Sequence, residues 1–157
     1  MIASLGCPQD IDTRRLSLRC LSPRAIQAGI AGDLRTVEEC LGARVPTDLA
    51  EDPAVLRYAQ AQLAADADYF PWLARAIILR DSTEMIGHIR FHTRPDPEYL
   101  LSYARGAIEV GYVVFVAYRK QGYSYEALLG GISRAEECYS IKHFVASISP
   151  RNLPSIN

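Results

Sequence analysis

The sequence lacks an excess of charge of either sign. Its 157 residues include 17 Lys and Arg and 18 Asp and Glu, which gives a formal net charge of −1. A nucleic-acid-binding protein usually needs a strongly basic surface to neutralise phosphates. An acidic disordered chain needs a large negative excess and few apolar residues, whereas 49% of this chain is hydrophobic. We therefore expect a globular domain with no nucleic-acid partner.

Cysteines and long apolar runs are also scarce. The four cysteines, Cys7, Cys20, Cys40 and Cys138, include no C-x-x-C pair, so their spacing argues against a zinc knuckle or a thioredoxin-like centre. Reduced thiols in the cytoplasm are the default interpretation. No apolar run approaches the length of a membrane-spanning helix, which is about 20 residues. The sequence thus predicts a cytoplasmic protein with no membrane partner and no metal.

The hydrophobic pattern predicts a mixed α/β (α+β) fold. Apolar residues alternate in some segments and recur every three to four residues in others, which indicates half-buried strands and amphipathic helices. Strands are predicted at about 14–20, 72–80, 85–91, 107–116 and 143–148, and helices at about 23–31, 34–41, from 53 onward, and 123–139. The order β-α-α-β-β-β-α-β gives an antiparallel hairpin at 72–91 and a parallel pair within 107–148. Residues 1–13 are predicted to be an N-terminal tail and 14–157 the domain.

The most informative segment is the stretch 108–127, where a predicted strand runs through a short polar turn into a helix. A helix N-terminus presents unpaired N–H groups and the positive end of a dipole, which suits a phosphate. Gly122 lacks a Cβ and Ser124 is small, so a ligand can approach the backbone there. Neither the Walker A pattern nor G-x-G-x-x-G is present. We therefore expect Gln121–Ser124 to bind a phosphate or pyrophosphate of a ligand other than those bound by Walker A loops or dinucleotide-binding motifs.

The pattern Arg119-x-x-Gly122-x-Ser124 resembles the acyl-coenzyme-A loop of the GCN5-related N-acetyltransferases (GNAT), which carry Gly or Ala at the last position. Other motifs resemble the same family: Met85-Ile86-Gly87-His88-Ile89, Ile108-Glu109-Val110-Gly111-Tyr112, Glu126-Ala127-Leu128 and Asn152-Leu153-Pro154-Ser155. The last is similar to the N-x-x-S of the ribosomal-protein alanine acetyltransferase (RimJ- and RimL-like) branch. The resemblance covers about residues 14–157. The family fold continues through a fourth helix and two strands, so we expect a domain truncated after the fifth strand.

The resemblance implies transfer of an acetyl group from acetyl-coenzyme A to a primary amine of a small molecule or a protein N-terminus, by direct attack through a tetrahedral intermediate. The implied coenzyme-binding residues are Val114, Phe115, Val116, Arg119, Gln121, Gly122, Tyr123, Ser124 and Asn152. Glu109 is the first choice for the group that accepts the amine proton, and a surface or ion-paired glutamate is the alternative. Ser155 is the candidate donor to the thiolate. A plain role at a helix start is the alternative for Ser155 and Asn152.

Other interpretations stay open at the level of sequence. A non-catalytic acyl-coenzyme-A-binding or sensor module and a phosphate-binding domain of another kind are alternative functions. His88 and His92 share a strand face and have no third ligand nearby, so we expect a pocket wall or ordinary strand histidines in place of a metal site. Cys138 is predicted to be buried and inert. The loop 92–106 is predicted to be the variable part of the acceptor pocket, and an open sheet edge allows a homodimer.

Overall fold

A computed structural model describes residues 10–156, and the first nine residues of the predicted tail, Cys7 among them, lie outside the described residues together with Asn157. Within 10–156 six strands form one sheet in chain order. Their bounds are β1 Ile11–Asp12, β2 Leu16–Cys20, β3 Arg75–Leu79, β4 Glu84–Phe91, β5 Ala107–Val114 and β6 His143–Val145. All neighbours are antiparallel except β5 and β6, which are parallel. The predicted mixed sheet is confirmed.

The helices begin and end where local chemistry predicts. Their bounds are α1 Pro23–Ile30, α2 Leu34–Leu41, α3 Asp48–Glu51, α4 Ala54–Ala65, α5 Tyr123–Tyr139 and α6 Leu153–Ile156. The Ser22 hydroxyl accepts a hydrogen bond from the N–H of Ala25 and caps α1. Asp33 caps α2 in the same way, and Gly42 ends that helix in the left-handed conformation at φ +64°.

The sheet is covered on both faces, and β4 shows how its side chains divide. Ile89 and Phe91 lie under α5, close to Gly131 of that helix. The alternate residues point to the opposite face, where the guanidinium of Arg90 lies over the ring of Tyr58 on α4. Gly130 and Gly131 let α5 approach the sheet closely, since a Cβ at Gly130 would meet Thr13 Cγ2 at 2.9 Å. The glycine pair therefore allows close packing of α5.

Four predictions about the elements need correction. Ile11–Asp12 form β1 and pair with β2, although these residues were assigned to the tail. The helix α3 was not predicted, because four residues carry too little periodicity to detect. The strand expected from Trp72 starts only at Arg75, after a 3-10 turn. Cys138 is exposed, because it lies in the last turn of α5, where residues 136–140 are all exposed. The buried positions of α5 are Ala127, Gly131 and Ala135.

Candidate active site

The polar loop between β5 and α5 presents backbone N–H groups at the start of the helix. A 3-10 turn, Val116–Tyr118, ends β5, and α5 begins at Tyr123. Gly122 occupies the N-cap position with φ +80° and no side-chain cap, and Lys120 also has a positive φ, of 63°. Glycine adopts such a backbone at little cost. Among residues 10–156 nothing accepts a hydrogen bond from the N–H groups of Gly122, Tyr123 and Ser124.

Arg15 of the β1–β2 turn holds this loop in place. Its Nη1 donates to the carbonyl of Gln121 at 3.0 Å, and its Nε donates to Glu126 Oε2 at 2.7 Å. The guanidinium also lies 4.5 Å from the centre of the Tyr123 ring. The three contacts fix both sides of the glycine turn. Sequence reasoning missed Arg15, which it treated only as the polar side of an alternating strand.

Glu126, in the first turn of α5, is the other half of this clamp. Its Oε1 accepts hydrogen bonds from the Thr13 hydroxyl at 2.6 Å and from the N–H of Arg15 at 2.7 Å. Burial opposes ionisation of the carboxyl, but the hydrogen bonds from Thr13 and Arg15 and the charge of Arg15 outweigh it, so the pKa of Glu126 is lowered. The carboxylate is therefore ionised at neutral pH, and its negative charge interacts favourably with the positive N-terminal end of the α5 dipole.

The outer edge of β5 is open next to the loop. On one side β5 pairs with β4 as far as Val114, but on the other side it pairs with β6 only over Ala107–Glu109. The N–H of Phe115 donates to the carbonyl of Ile86 at 2.8 Å and so points toward β4. Because successive N–H groups of a strand point in opposite directions, the N–H of Val114 points to the open edge. The strands thus part at Glu109.

The predicted coenzyme-binding residues at the end of β5 have unequal roles in the structure. Val114 presents its N–H to the open edge, but its carbonyl accepts a hydrogen bond from Arg119 Nε at 2.9 Å. Phe115 has its N–H committed to β4 and a buried side chain. Val116 lies in the 3-10 turn and is 71% exposed. The side chain of Arg119 is therefore directed back along the strand, where it fixes the shape of the turn.

Glu109 lies at the point where β5 and β6 part, and the residue is only 6% exposed. Its Oε2 accepts a hydrogen bond from the Tyr99 hydroxyl at 2.5 Å and lies 3.4 Å from His92 Nδ1. Burial opposes ionisation, but hydrogen bonding from Ser147 and Tyr99 outweighs it, together with the charge of Arg90 and that of His92 when its ring is protonated. The pKa of Glu109 is consequently lowered. The carboxylate is buried, ionised and supported by residues of three separate segments.

His92 fits beside Glu109 because the strand opposite it carries a glycine. A Cβ at Gly111 would lie 2.7 Å from His92 Nε2, so only glycine leaves room for the imidazole. Burial lowers the pKa of His92, and the attraction of Glu109 only partly offsets it. The ring is therefore neutral at pH 7. His88, four residues before His92, lies on the same face of the sheet and is buried.

Asn152 and Ser155 lie near the C-terminal end of the described chain. The N–H of Ser155 donates to the carbonyl of Asn152 at 3.2 Å, and the N–H of Asn152 donates to the carbonyl of Ser149 at 2.8 Å. Within 10–156 no hydrogen bond joins Ser155 to Glu109, whereas Ser147, which sequence reasoning did not single out, is close enough to affect its pKa. The roles of Ser155 and Asn152 remain predictions.

Two other kinds of feature are absent from the described range. Residues 10–156 contain no group of three or more His, Cys, Asp or Glu side chains arranged to hold a metal ion. None of the helices in this range is both long and apolar enough to cross a membrane.

Comparison with known proteins supports the resemblance found in the motifs. Residues 15–157 match the family model described as the acetyltransferase (GNAT) domain. A protein described as a GnaT-family acetyltransferase from Bordetella pertussis has a similar structure, with a TM-score of 0.61 and 22% identity over 94% of this chain and 83% of that one. No curated protein matches the chain.

Two ribosomal-protein acetyltransferases have similar structures as well. One is a ribosomal L7/L12 α-N-protein acetyltransferase in complex with coenzyme A, with a TM-score of 0.60 and 16% identity over 94% of this chain and 79% of that one. The other, from Salmonella typhimurium, modifies the N-terminal serine of ribosomal protein L7/L12 and has a TM-score of 0.57 and 14% identity, over 94% of this chain and 80% of that one. At these identities the likeness concerns the fold.

Proposed function

The chain belongs to the GNAT acetyltransferase family and is an acyltransferase, and from this premise we propose that it transfers an acetyl group from acetyl-coenzyme A to a primary amine. The acceptor is an amine of a small molecule or a protein N-terminus. The observation that carries the proposal is the buried, ionised Glu109 at the point where β5 and β6 part. The loop between β5 and α5, which follows the open edge of β5, is the proposed site for the coenzyme.

The loop supports binding of the coenzyme's pyrophosphate. The N–H groups of Gly122, Tyr123 and Ser124 lack protein acceptors within the described chain, and the helix dipole of α5 favours an anion there. Gln121 is exposed beside them, and its carbonyl is held by Arg15. The phosphates would therefore meet a loop whose shape is already fixed, which reduces the entropy lost on binding.

The open edge of β5 supports binding of the extended pantetheine arm. An edge strand with free N–H and C=O groups pairs with amides as an added strand would. The N–H of Val114 lies on this edge and is the proposed donor to the carbonyl oxygen that becomes negatively charged when the thioester is attacked. Asn152 is proposed to hold an amide or acetyl oxygen from the other side.

The chemistry then requires an acceptor for one proton and a donor for the leaving thiolate. The amine nitrogen attacks the thioester carbonyl, the C–N bond forms, and the C–S bond breaks as the tetrahedral intermediate collapses. The attacking nitrogen becomes acidic as its bond to carbon forms, and Glu109, directly or through a water, accepts its proton. The sulfur leaves as a thiolate, to which the Ser155 hydroxyl is the proposed hydrogen-bond donor. The thiolate then takes up a proton from solvent to give coenzyme A, and Glu109 releases to solvent the proton that it accepted.

Binding and turnover measured separately test this proposal. Calorimetry with acetyl-coenzyme A is expected to show binding, and a thiol-release assay with a panel of amines is expected to show turnover. Glu109→Gln should bind the coenzyme normally but lose turnover, whereas Glu136→Gln, at an exposed position on α5, should keep both. Binding without release from any amine would contradict transfer and favour a coenzyme-binding module.

A further inference from the structure

Three polar side chains share the face of β4 that lies against α4. His88, Arg90 and His92 alternate along the strand and pair with β5 positions on the same face. Arg90 is opposite Gly111, the residue whose missing side chain makes room for His92. His92 in turn contacts Glu109 through Nδ1 at 3.4 Å. Arg90, the middle member of this polar row, thus alternates with the side chain that contacts the proposed base.

Arg90 has no anionic partner in the part of the chain that the structure describes. Its Nε is buried without a hydrogen-bond acceptor, and its guanidinium lies 5.1 Å from the centre of the Tyr58 ring. The charge of Arg90 contributes to lowering the pKa of Glu109, but that carboxylate makes its close contacts with Tyr99 and His92. A buried donor without an acceptor is unfavourable unless a ligand supplies one.

His88 is a second unpartnered polar group in the same row. It is 6% exposed, and its Nδ1 has no hydrogen-bond partner among residues 10–156. Burial, with a smaller effect from the charge of Arg90, lowers the pKa of His88 to about 4. The imidazole is therefore neutral at pH 7 and offers a hydrogen bond without adding charge. Two unsatisfied groups on the same face of one strand indicate a ligand with several polar atoms.

From this arrangement we infer that the acceptor amine carries a carboxylate, which Arg90 binds while the amine is held near Glu109. The inference rests on the proposed acetyl transfer and names the class of its acceptor. A guanidinium presents two parallel donors that match both oxygens of a carboxylate. Tyr58 supports the planar group from one side, and its own hydroxyl is bonded to the carbonyl of His92. Arg90 is thus a specificity-determining residue for an anionic acceptor.

Matched acceptor pairs that differ only in the carboxylate test the inference. β-Alanine is compared with β-alaninamide, and a peptide with N-terminal Asp is compared with the same peptide with N-terminal Asn, so the two arms separate a free amino acid from a protein N-terminus. We expect wild-type kcat/KM to favour the carboxylate by about 10- to 100-fold in at least one pair, as is typical of a charge-assisted hydrogen-bonded contact. Equal use of both members of both pairs would overturn the inference.

Variants of Arg90 connect the preference to the residue. Arg90→Gln should lower kcat/KM far more for the carboxylate acceptor than for the amide and so abolish the preference, and Arg90→Lys should retain part of it because the charge remains without the planar fork. The control is Arg57→Gln, at an exposed position next to Tyr58 on α4, which should keep the full preference. An equal loss with both members of a pair in Arg90→Gln would refute the assignment. Circular dichroism checks that each variant is folded.

A binding measurement separates failure of this inference from failure of acetyl transfer. The arginine Nε–H resonances are followed by NMR in wild type and Arg90→Gln while β-alanine or β-alaninamide is added in the presence of coenzyme A. If the Arg90 signal shifts when β-alanine is added but not when β-alaninamide is added, the result supports the carboxylate site even if no amine releases thiol. No shift with β-alanine, together with no acceptor preference, overturns it.

Discussion

Replacing Glu126 with Gln tests whether the clamp between Arg15 and α5 fixes the loop before α5, the proposed coenzyme-binding loop. The side chain keeps its shape, so Oε1 can still accept the hydrogen bonds from Thr13 and from the N–H of Arg15. At the Oε2 position an amide N–H then meets Arg15 Nε, and the hydrogen bond of 2.7 Å becomes two opposed donors. One charge-assisted bond is lost, and the other contacts of the carboxylate are weakened.

The magnitude follows from the exposure of the pair. A charge-assisted hydrogen bond contributes about 1.5–3 kcal/mol when it is well buried, but exposed ion pairs contribute only about 0.2–1 kcal/mol. The Glu126 side chain is 18% exposed and that of Arg15 is 40% exposed, so we expect a loss of about 1 kcal/mol in the free energy of unfolding. For a chain of this size that lowers Tm by about 2–4 °C. The KM for acetyl-coenzyme A should rise several-fold because Gln121 is released.

The pH dependence of stability gives an independent check. The pKa of Glu126 is lowered in the folded protein, so its stabilisation is present above the unfolded pKa of about 4.3 and is lost as the pH falls through the folded value. Denaturant unfolding should therefore show a gap between wild type and Glu126→Gln at pH 7 that closes in acid. Glu136→Gln, exposed on the same helix, is the control. A Glu126→Gln variant that matches it in stability and KM would refute the clamp.

Three further outcomes are expected from the site. Glu109→Gln should lower kcat by about 100-fold. Because the pKa of Glu109 is lowered, the acid limb of the wild-type pH–rate profile should follow protonation of the acceptor amine. An acid limb set by protonation of Glu109 would contradict this. Gly122→Ala and Gly32→Ala, both at positive φ near +80°, should each lose about 1–2 kcal/mol of stability, but only Gly122→Ala should raise the KM for acetyl-coenzyme A; an equal effect on KM would argue against the loop. Gly111→Ala should displace His92 and raise the pKa of Glu109, as measured by NMR titration of its carboxyl carbon; an unchanged titration curve would refute the contact.

Local chemistry made much of the fold predictable. A serine or aspartate before a helix, a glycine after it and an alternating strand pattern each act within a few residues, so Ser22, Asp33 and Gly42 could be assigned from the sequence alone. The polar turn around Gly122 was located for the same reason, because a strand, a glycine and a helix follow one another directly.

The partners of the site could not be predicted, because they come from distant parts of the chain. Arg15 reaches Glu126 across 111 positions, and its sequence context says only that it faces away from the core. Tyr99 of the loop 92–106 bonds Glu109 across ten positions, through a segment without periodicity. The error at Cys138 has a related cause, because a helical period identifies the buried stripe but not how far the sheet extends beneath its last turn.

The glycine pair Gly130 and Gly131 limits which substitutions α5 can accept. Alanine normally makes a helix more stable than glycine by about 1 kcal/mol per residue, yet an added methyl at Gly130 would press on Thr13, whose hydroxyl is bonded to Glu126. A displacement of Thr13 by this substitution would thus be passed through Glu126 to the turn at the start of α5, the proposed phosphate site. Attempts to thermostabilise this enzyme through α5 therefore put affinity for the acyl donor at risk, and sequence drift at Gly130 is expected to occur together with change at position 13.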